Sequence, residues 1–115
     1  MEARAVARYV RMSPWKVRRV ADAVRGRGVD EALSLLRAMP HRAARVVEKA
    51  IRSAAANAEH NLELDRATLV VARIAVDRGP GGGAWKRLVP RARGRADVMS
   101  RKNCHVTVVV AEREA

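Results

Sequence analysis

The chain has 115 residues, 49% of them hydrophobic, which is enough for one compact domain and too little for two. Its 24 basic and 12 acidic side chains give a net charge of +12, so nucleic acid is the first partner to consider, ahead of anionic lipid or an acidic protein. The single Cys104 excludes an internal disulfide, and no apolar run approaches the roughly 20 residues of a membrane span, so we expect a cytoplasmic protein.

The first predicted element is a strand from Glu2 to Arg11, where charged residues partly alternate with small apolar ones and Tyr9. The apolar residues here also satisfy helical spacing, so periodicity alone leaves a helix open.

A helix is predicted more clearly from Ser13 to Gly26. The Ser13 hydroxyl can cap it, Pro14 suits the first helical position, and Gly26 is a natural stop. Its apolar residues recur with helical spacing: Val17, Val20, Ala21 and Val24. Four cations lie largely off this stripe: Lys16, Arg18, Arg19 and Arg25. These cations either face RNA or form an ordinary solvated surface.

Two more helices follow. A short one begins at Gly28 or Asp30 and ends before Pro40, with Ala32, Leu33, Leu36 and Met39 on its buried side. A longer one begins near His41 and runs for about 20 residues, or roughly 30 Å. Its apolar side consists mainly of alanine: Ala43, Ala44, Val47, Ala50, Ile51, Ala54, Ala55 and Ala58. Such a side allows another element to approach closely.

Two strands close the pattern and form a long antiparallel hairpin over residues 68–111. Thr68 to Val76 is predicted to point Val70, Ala72, Ile74 and Val76 inward. His105 to Ala111 is predicted to point Val106, Val108 and Val110 inward.

Between these strands lies a strongly basic stretch, residues 78–102. It carries eight basic side chains and one acid, Asp97, so its net charge is +7, whereas residues 1–27 carry +6 and residues 28–77 are neutral. The stretch has too few apolar residues to offset its ordering cost by internal packing. We predict an arm whose arginines contact RNA phosphates, with a solvated tail as the alternative.

Several residues keep two interpretations. Trp15 and Trp85 could stack on bases, and Trp15 could equally cover the edge of the core. Asn57, His60 and Asn61 could bind RNA or simply end the third helix. The glycines of residues 81–83 suit either close backbone approach to RNA or a slack loop. No metal-ligand spacing, nucleotide-binding glycine loop or catalytic cluster is recognisable, so we predict neither an enzyme nor a cofactor.

Four segments together resemble bacterial ribosomal protein L twenty-two of the large subunit. They are SPWKVRRVADAVRG (13–26), SAAANAEHN (53–61), VDRGP (76–80) and KRLVPRARGRAD (86–97), and CHVTVVV (104–110) is similar to that family's closing strand. The resemblance covers nearly the whole chain in the right order. It implies an α/β (α+β) fold in which a three-stranded antiparallel sheet packs with three helices and carries a long protruding β-hairpin arm.

The resemblance also implies binding to large-subunit ribosomal RNA, with the arm tip lining the nascent-peptide exit tunnel close to ribosomal protein L four and the passing nascent peptide. The tip residues it implies are Lys86, Arg87, Leu88, Pro90 and Arg91. From the resemblance and the charge distribution together, we expect these RNA-binding residues: Lys16, Arg18, Arg19, Asn57, Asn61, Arg78, Lys86, Arg87, Arg91, Arg93, Arg95, Arg101 and Lys102.

The chain departs from the family pattern at two places. Trp15 stands where members usually have a basic residue, and GGGAW at residues 81–85 makes the tip region about three residues longer than usual.

The second function hypothesis is a DNA-bending architectural protein that inserts a basic β-arm into the minor groove. Such arms generally need a dimer, and no extra apolar surface is set aside for one.

Overall fold

A computed structural model of the chain describes residues 1–80, 86–100 and 102–113, and of residues 86, 87 and 98–100 only the backbone. The helices are α1 (Pro14–Val24), α2 (Val29–Ala38) and α3 (Arg42–Asn61). The strands are β1 (Glu2–Val10), β2 (Leu69–Arg78), β3 (Lys86–Pro90), β4 (Ala96–Ser100) and β5 (Cys104–Glu112). The predicted α+β fold is confirmed.

The strands form two antiparallel groups. β1, β5 and β2 make a three-stranded sheet in that order, with β5 in the centre, and β3 pairs with β4 as a separate ribbon. Arg78 pairs with Cys104 at the end of the large sheet, and Lys86 pairs with Ser100 at the start of the ribbon. The ribbon therefore continues the β2–β5 hairpin outward and forms the arm.

The helices cover one face of the large sheet: α3 packs on β1 and β5, and α1 packs on β2. The predicted stripes of α1 and α3 are buried, and Ala54 and Ala55 are 0% and 1% exposed. In the absence of phenylalanine these small side chains let helix and sheet approach closely. None of the helices described is long and apolar enough to cross a membrane.

The start of α1 differs from the expectation. Ser13 is the N-cap residue, but its hydroxyl makes no capping hydrogen bond. Its backbone carbonyl accepts from the amides of Lys16 and Val17, at 3.1 and 3.4 Å. The predicted stop is correct, because Gly26 follows the helix with a φ of 80°.

The prediction for the first half of β2 was wrong. Leu69 and Val71 are buried there, whereas Val70 is half-buried and Ala72 is exposed. A β-bulge shifts the register between Val71 and Arg73, so the alternation reverses within the strand. Beyond the bulge the prediction is correct, and Ile74 and Val76 are buried.

A second irregularity lies in β1, where the register with β5 shifts between Ala7 and Val10. Tyr9 has a φ of 56° and is 58% exposed, although the alternation predicted it on the apolar side. Its amide donates to Nδ1 of His105 at 3.1 Å, and the two rings meet edge to face.

Glu48 is a buried acid on the apolar side of α3 that sequence analysis missed. Its carboxylate lies 3.1 Å from Arg45 and 2.8 Å from Arg52, and 3.7 Å from Arg37 of α2. Arg45 also donates to the carbonyl oxygens of Leu36 and Met39 at the end of α2. The cluster therefore fixes the α2–α3 corner.

Candidate nucleic-acid interface

The two cationic segments of the sequence meet at the root of the arm. Pro14, Trp15 and Arg18 of α1 and Arg78 and Lys102 of the arm line a cleft of about 170 Å³, which we call the root cleft. No acidic side chain is among the described residues that line it. The fold thus concentrates positive charge that the sequence distributes over distant positions.

Arg18 is held in place by the sheet. Its Nε and Nη2 atoms donate to the carbonyl oxygen of Val76, at 3.2 and 2.9 Å. Since a carbonyl is neutral, these bonds orient the guanidinium without cancelling its charge. Burial raises the pKa of the nearby Cys104 thiol, and the positive charge of Arg18 opposes that rise.

The arm root depends on a close approach between its two chains. The Gly79 amide donates to the carbonyl oxygen of Asn103 at 3.0 Å. A Cβ atom at position 79 would overlap the buried side chain of Asn103, so glycine is required for this spacing. Arg78 and Lys102 flank this pair and are both exposed.

The outer arm ends in a turn over residues 91–95. The Arg91 amide donates to the carbonyl oxygen of Arg95 at 2.7 Å, and Arg93 and Gly94 have φ values of 60° and 71°. The Arg91 Nε lies 2.7 Å from Oδ2 of Asp97, which partly neutralises that guanidinium. Arg93 and Arg95 are exposed and form no ion pair with the residues described.

The turn includes only one of the predicted tip residues. Of the five predicted tip residues only Arg91 lies in the turn, because Lys86, Arg87, Leu88 and Pro90 belong to β3. Residues 81–85, which carry the additional length, precede β3 in the sequence. The segment itself, with Trp85, lies outside the described residues, as do Arg101 and the side chains of Lys86 and Arg87.

The cations predicted on α1 divide into two groups. Arg25 is used within the fold, since it lies 2.6 Å from Asp22 and donates to the carbonyl oxygen of Ile74 at 3.0 Å. The side chains of Lys16 and Arg19 are exposed and make no hydrogen bond to the part of the chain that the structure describes. They lie on α1, which also contributes Arg18 to the root cleft, and so extend the positive charge of this surface.

One of the two asparagines predicted at the end of α3 has a partner within the fold. Asn57 is half-buried, and its Nδ2 donates to the carbonyl oxygen of Arg4 at 3.0 Å, which ties α3 to β1. Asn61 is the exposed last residue of the helix. This hydrogen bond gives Asn57 a structural role, and RNA contact by Asn57 and Asn61 stays a prediction.

Trp15 had two predicted interpretations, base stacking or cover for the edge of the core. The residue is 74% exposed, so it does not cover the edge of the core. It stands instead beside Arg18, Arg78 and Lys102 in the root cleft. Within the residues described, no group of three His, Cys, Asp or Glu side chains could hold a metal ion.

Comparison with known proteins identifies the family. Residues 5–111 match the family described as "Ribosomal protein L22p/L17e". The chain is 54% identical to "Large ribosomal subunit protein uL22" of Pelotomaculum thermopropionicum, over 99% of this chain and 98% of the relative. It is 51% identical to the protein of that name from Desulforamulus reducens, with the same coverage, and 56% identical to that of Rippkaea orientalis, over 96% of this chain and 89% of the relative. The chain therefore belongs to the ribosomal protein L22p/L17e family.

Proposed function

We propose that this protein is a structural constituent of the large ribosomal subunit that binds large-subunit ribosomal RNA through the root cleft, the exposed α1 cations and the arm. The root cleft carries the proposal, because three cations from distant positions surround it and no acid among its lining residues neutralises them. Phosphate is the counterpart that such a concentration of Arg and Lys fits.

Membership of a family of ribosomal proteins makes the protein a component of the ribosome and not an enzyme, as the sequence predicts. It favours the ribosomal hypothesis over a DNA-bending architectural protein. RNA binding itself and the residues that mediate it are our inference from the charge and exposure of the side chains.

The arm would bridge RNA segments away from the body. The molecule extends over 66 Å along its long axis but only 26 and 19 Å along the others. Arg93 and Arg95 stand exposed at the far turn, while Arg78 and Lys102 stand at the root. Two cationic positions so far apart can neutralise phosphates of separate RNA segments.

We further propose that the arm turn, residues 91–95, lies at the wall of the nascent-peptide exit tunnel, next to ribosomal protein L four and the nascent peptide. The length of the arm and the exposed cations of its turn support this placement. We also propose that residues 1–115 form one RNA-binding domain in which residues 78–102 are the arm.

Salt-dependent RNA binding tests the proposal. The variant Arg78→Gln/Arg93→Gln/Arg95→Gln/Lys102→Gln removes two cations at the root and two at the turn. The matched control is Arg42→Gln/Lys49→Gln, which removes exposed cations of α3 from the neutral segment. A plot of log affinity against log salt concentration has a negative slope, and each lost phosphate contact should make this slope less steep by about 0.7 to 0.9.

For binding to large-subunit ribosomal RNA, we expect the slope of the fourfold variant to be less steep than that of the wild type by about 3. The slope of the control should be nearly unchanged. Equal slopes for wild type and the fourfold variant would contradict the assignment of these residues. Absence of binding by the wild-type protein to the RNA would contradict the RNA-binding function itself.

A further inference from the structure

We propose that the root cleft binds one unpaired RNA nucleotide, whose base stacks on Trp15 and whose phosphate contacts Arg18, Arg78 and Lys102. The inference rests on the proposed RNA-binding function and adds the conformation of the RNA that this site selects. It assigns a role to an exposed indole that the fold does not use.

The exposure of Trp15 is the first observation. A tryptophan residue that is 74% exposed contributes little to the core, and α1 is already anchored by Val17 and Val20, which are 0% and 2% exposed. Its large apolar surface is therefore available to a ligand. Aromatic side chains beside cationic grooves are the usual stacking platforms for single-stranded nucleic acid.

The cations are the second observation. Arg18 comes from α1, Arg78 from the end of β2 and Lys102 from the segment before β5, and all three line the cleft with Trp15. The Val76 carbonyl fixes the Arg18 guanidinium, so this part of the site is formed before a ligand arrives. A phosphate beside the stacked base would meet all three charges.

The size of the cleft limits the occupant. Its volume of about 170 Å³ is below the roughly 300 Å³ at which small-molecule pockets begin, so it suits one group of a larger ligand. In a duplex the faces of each base are covered by its neighbours, and only an extruded or single-stranded base can offer a face to Trp15. A site that binds duplex phosphates alone would not need the indole.

Fluorescence of Trp15 tests the stacking directly. In the background Trp85→Phe the full chain has Trp15 as its single tryptophan. The probes are an oligouridylate of about 12 nucleotides, which lies within the size of a single-strand site, and a blunt RNA duplex of equal length. We expect the oligouridylate to quench Trp15 strongly and the duplex to quench it weakly.

Substitution of Trp15 separates stacking from charge. Trp15→Ala should weaken binding of the oligouridylate by about 5-fold to 150-fold and hardly change binding of the duplex. Trp15→Phe should recover part of the loss. Trp15→Lys adds a charge but has no ring, so it should still bind the oligouridylate more weakly than wild type. Because the side chain is exposed, all three variants should retain the wild-type circular dichroism spectrum.

The outcomes distinguish the two proposals. If the wild-type protein binds both RNAs, while Trp15→Ala is unchanged or Trp15→Lys binds the oligouridylate more tightly, the root cleft recognises phosphate charge only and the stacking inference is wrong. If the wild-type protein binds neither RNA, the proposed function fails as well.

Discussion

Arg18 of α1 donates two hydrogen bonds to the backbone carbonyl of Val76 in β2, at 3.2 and 2.9 Å. Val76 is two residues before Arg78, where the arm leaves the sheet. This link sets the position of α1 relative to the arm root, and with it the position of Trp15 relative to Arg78 and Lys102. The geometry of the root cleft depends on it.

Arg18→Lys should therefore weaken both the fold and the interface although it keeps the charge. An ammonium cannot make the forked contact to one carbonyl, and we expect a loss of about 1 kcal/mol in the free energy of unfolding with weaker RNA binding. Arg19→Lys is the control, because the neighbouring Arg19 side chain is exposed and makes no hydrogen bond to the described residues. Urea denaturation and RNA titration of both variants check this, and equal behaviour of the two would contradict the role of Arg18.

The alanine side of α3 should tolerate no enlargement. Ala54 and Ala55 face the core, so Ala54→Leu and Ala55→Leu should each lower the free energy of unfolding by about 1 to 3 kcal/mol through overpacking. Ala56→Leu makes the same change at an exposed position of the same helix and should have little effect. If thermal denaturation shows the same loss of stability in all three variants, α3 is not packed this closely.

Helical periodicity was the most informative part of the sequence, since every residue predicted on the buried side of α3 is buried. Apolar spacing records which side of a regular element faces the core, and α3 is regular over 20 residues. The same reasoning failed in β2, because a bulge at Ala72 breaks the period of two. A bulge arises from pairing with β5, and the spacing of the side chains in β2 alone does not reveal it.

The Cys104 thiol should make stability depend on pH in the alkaline range. Burial raises the pKa of this thiol, with Arg18 opposing, so the folded protein holds the proton to higher pH than the unfolded chain does. The contribution of this thiol to stability is fully present below its pKa in the unfolded chain. It is lost as the pH rises from there through the higher pKa of the thiol in the folded protein. Cys104→Ala should be less stable overall but show a shallower alkaline decline in urea midpoints. Parallel curves for the two proteins would contradict this prediction.

Deletion of Gly81–Arg95 should leave the body folded. None of the described residues from 78 to 102 belongs to the buried core, which ends at Val76 and resumes at Cys104. We expect the deletion variant to keep the helical circular dichroism signal of the full chain and to unfold cooperatively, with weaker RNA binding. Collapse of that signal would mean that the arm contributes to the core.

The interface was only partly predictable. The charge distribution identified the two cationic segments, but their meeting around Trp15 depends on how α1 crosses β2, and no local pattern encodes that crossing. The roles of Arg25, Asn57 and Glu48 within the fold were missed for the same reason, because their partners lie on other elements. An acid within the apolar stripe of α3, with arginines three residues before and four after, was the one signal that could have revealed the Glu48 cluster.

Retention on large ribosomal subunits through a high-salt wash tests the central claim most directly. Tagged wild-type protein and the Arg42→Gln/Lys49→Gln control should sediment with the large subunit, and the Arg78→Gln/Arg93→Gln/Arg95→Gln/Lys102→Gln variant should be released at a lower salt concentration. Release of all three proteins at the same salt concentration would contradict the claim that the root cleft and the arm hold this protein on RNA.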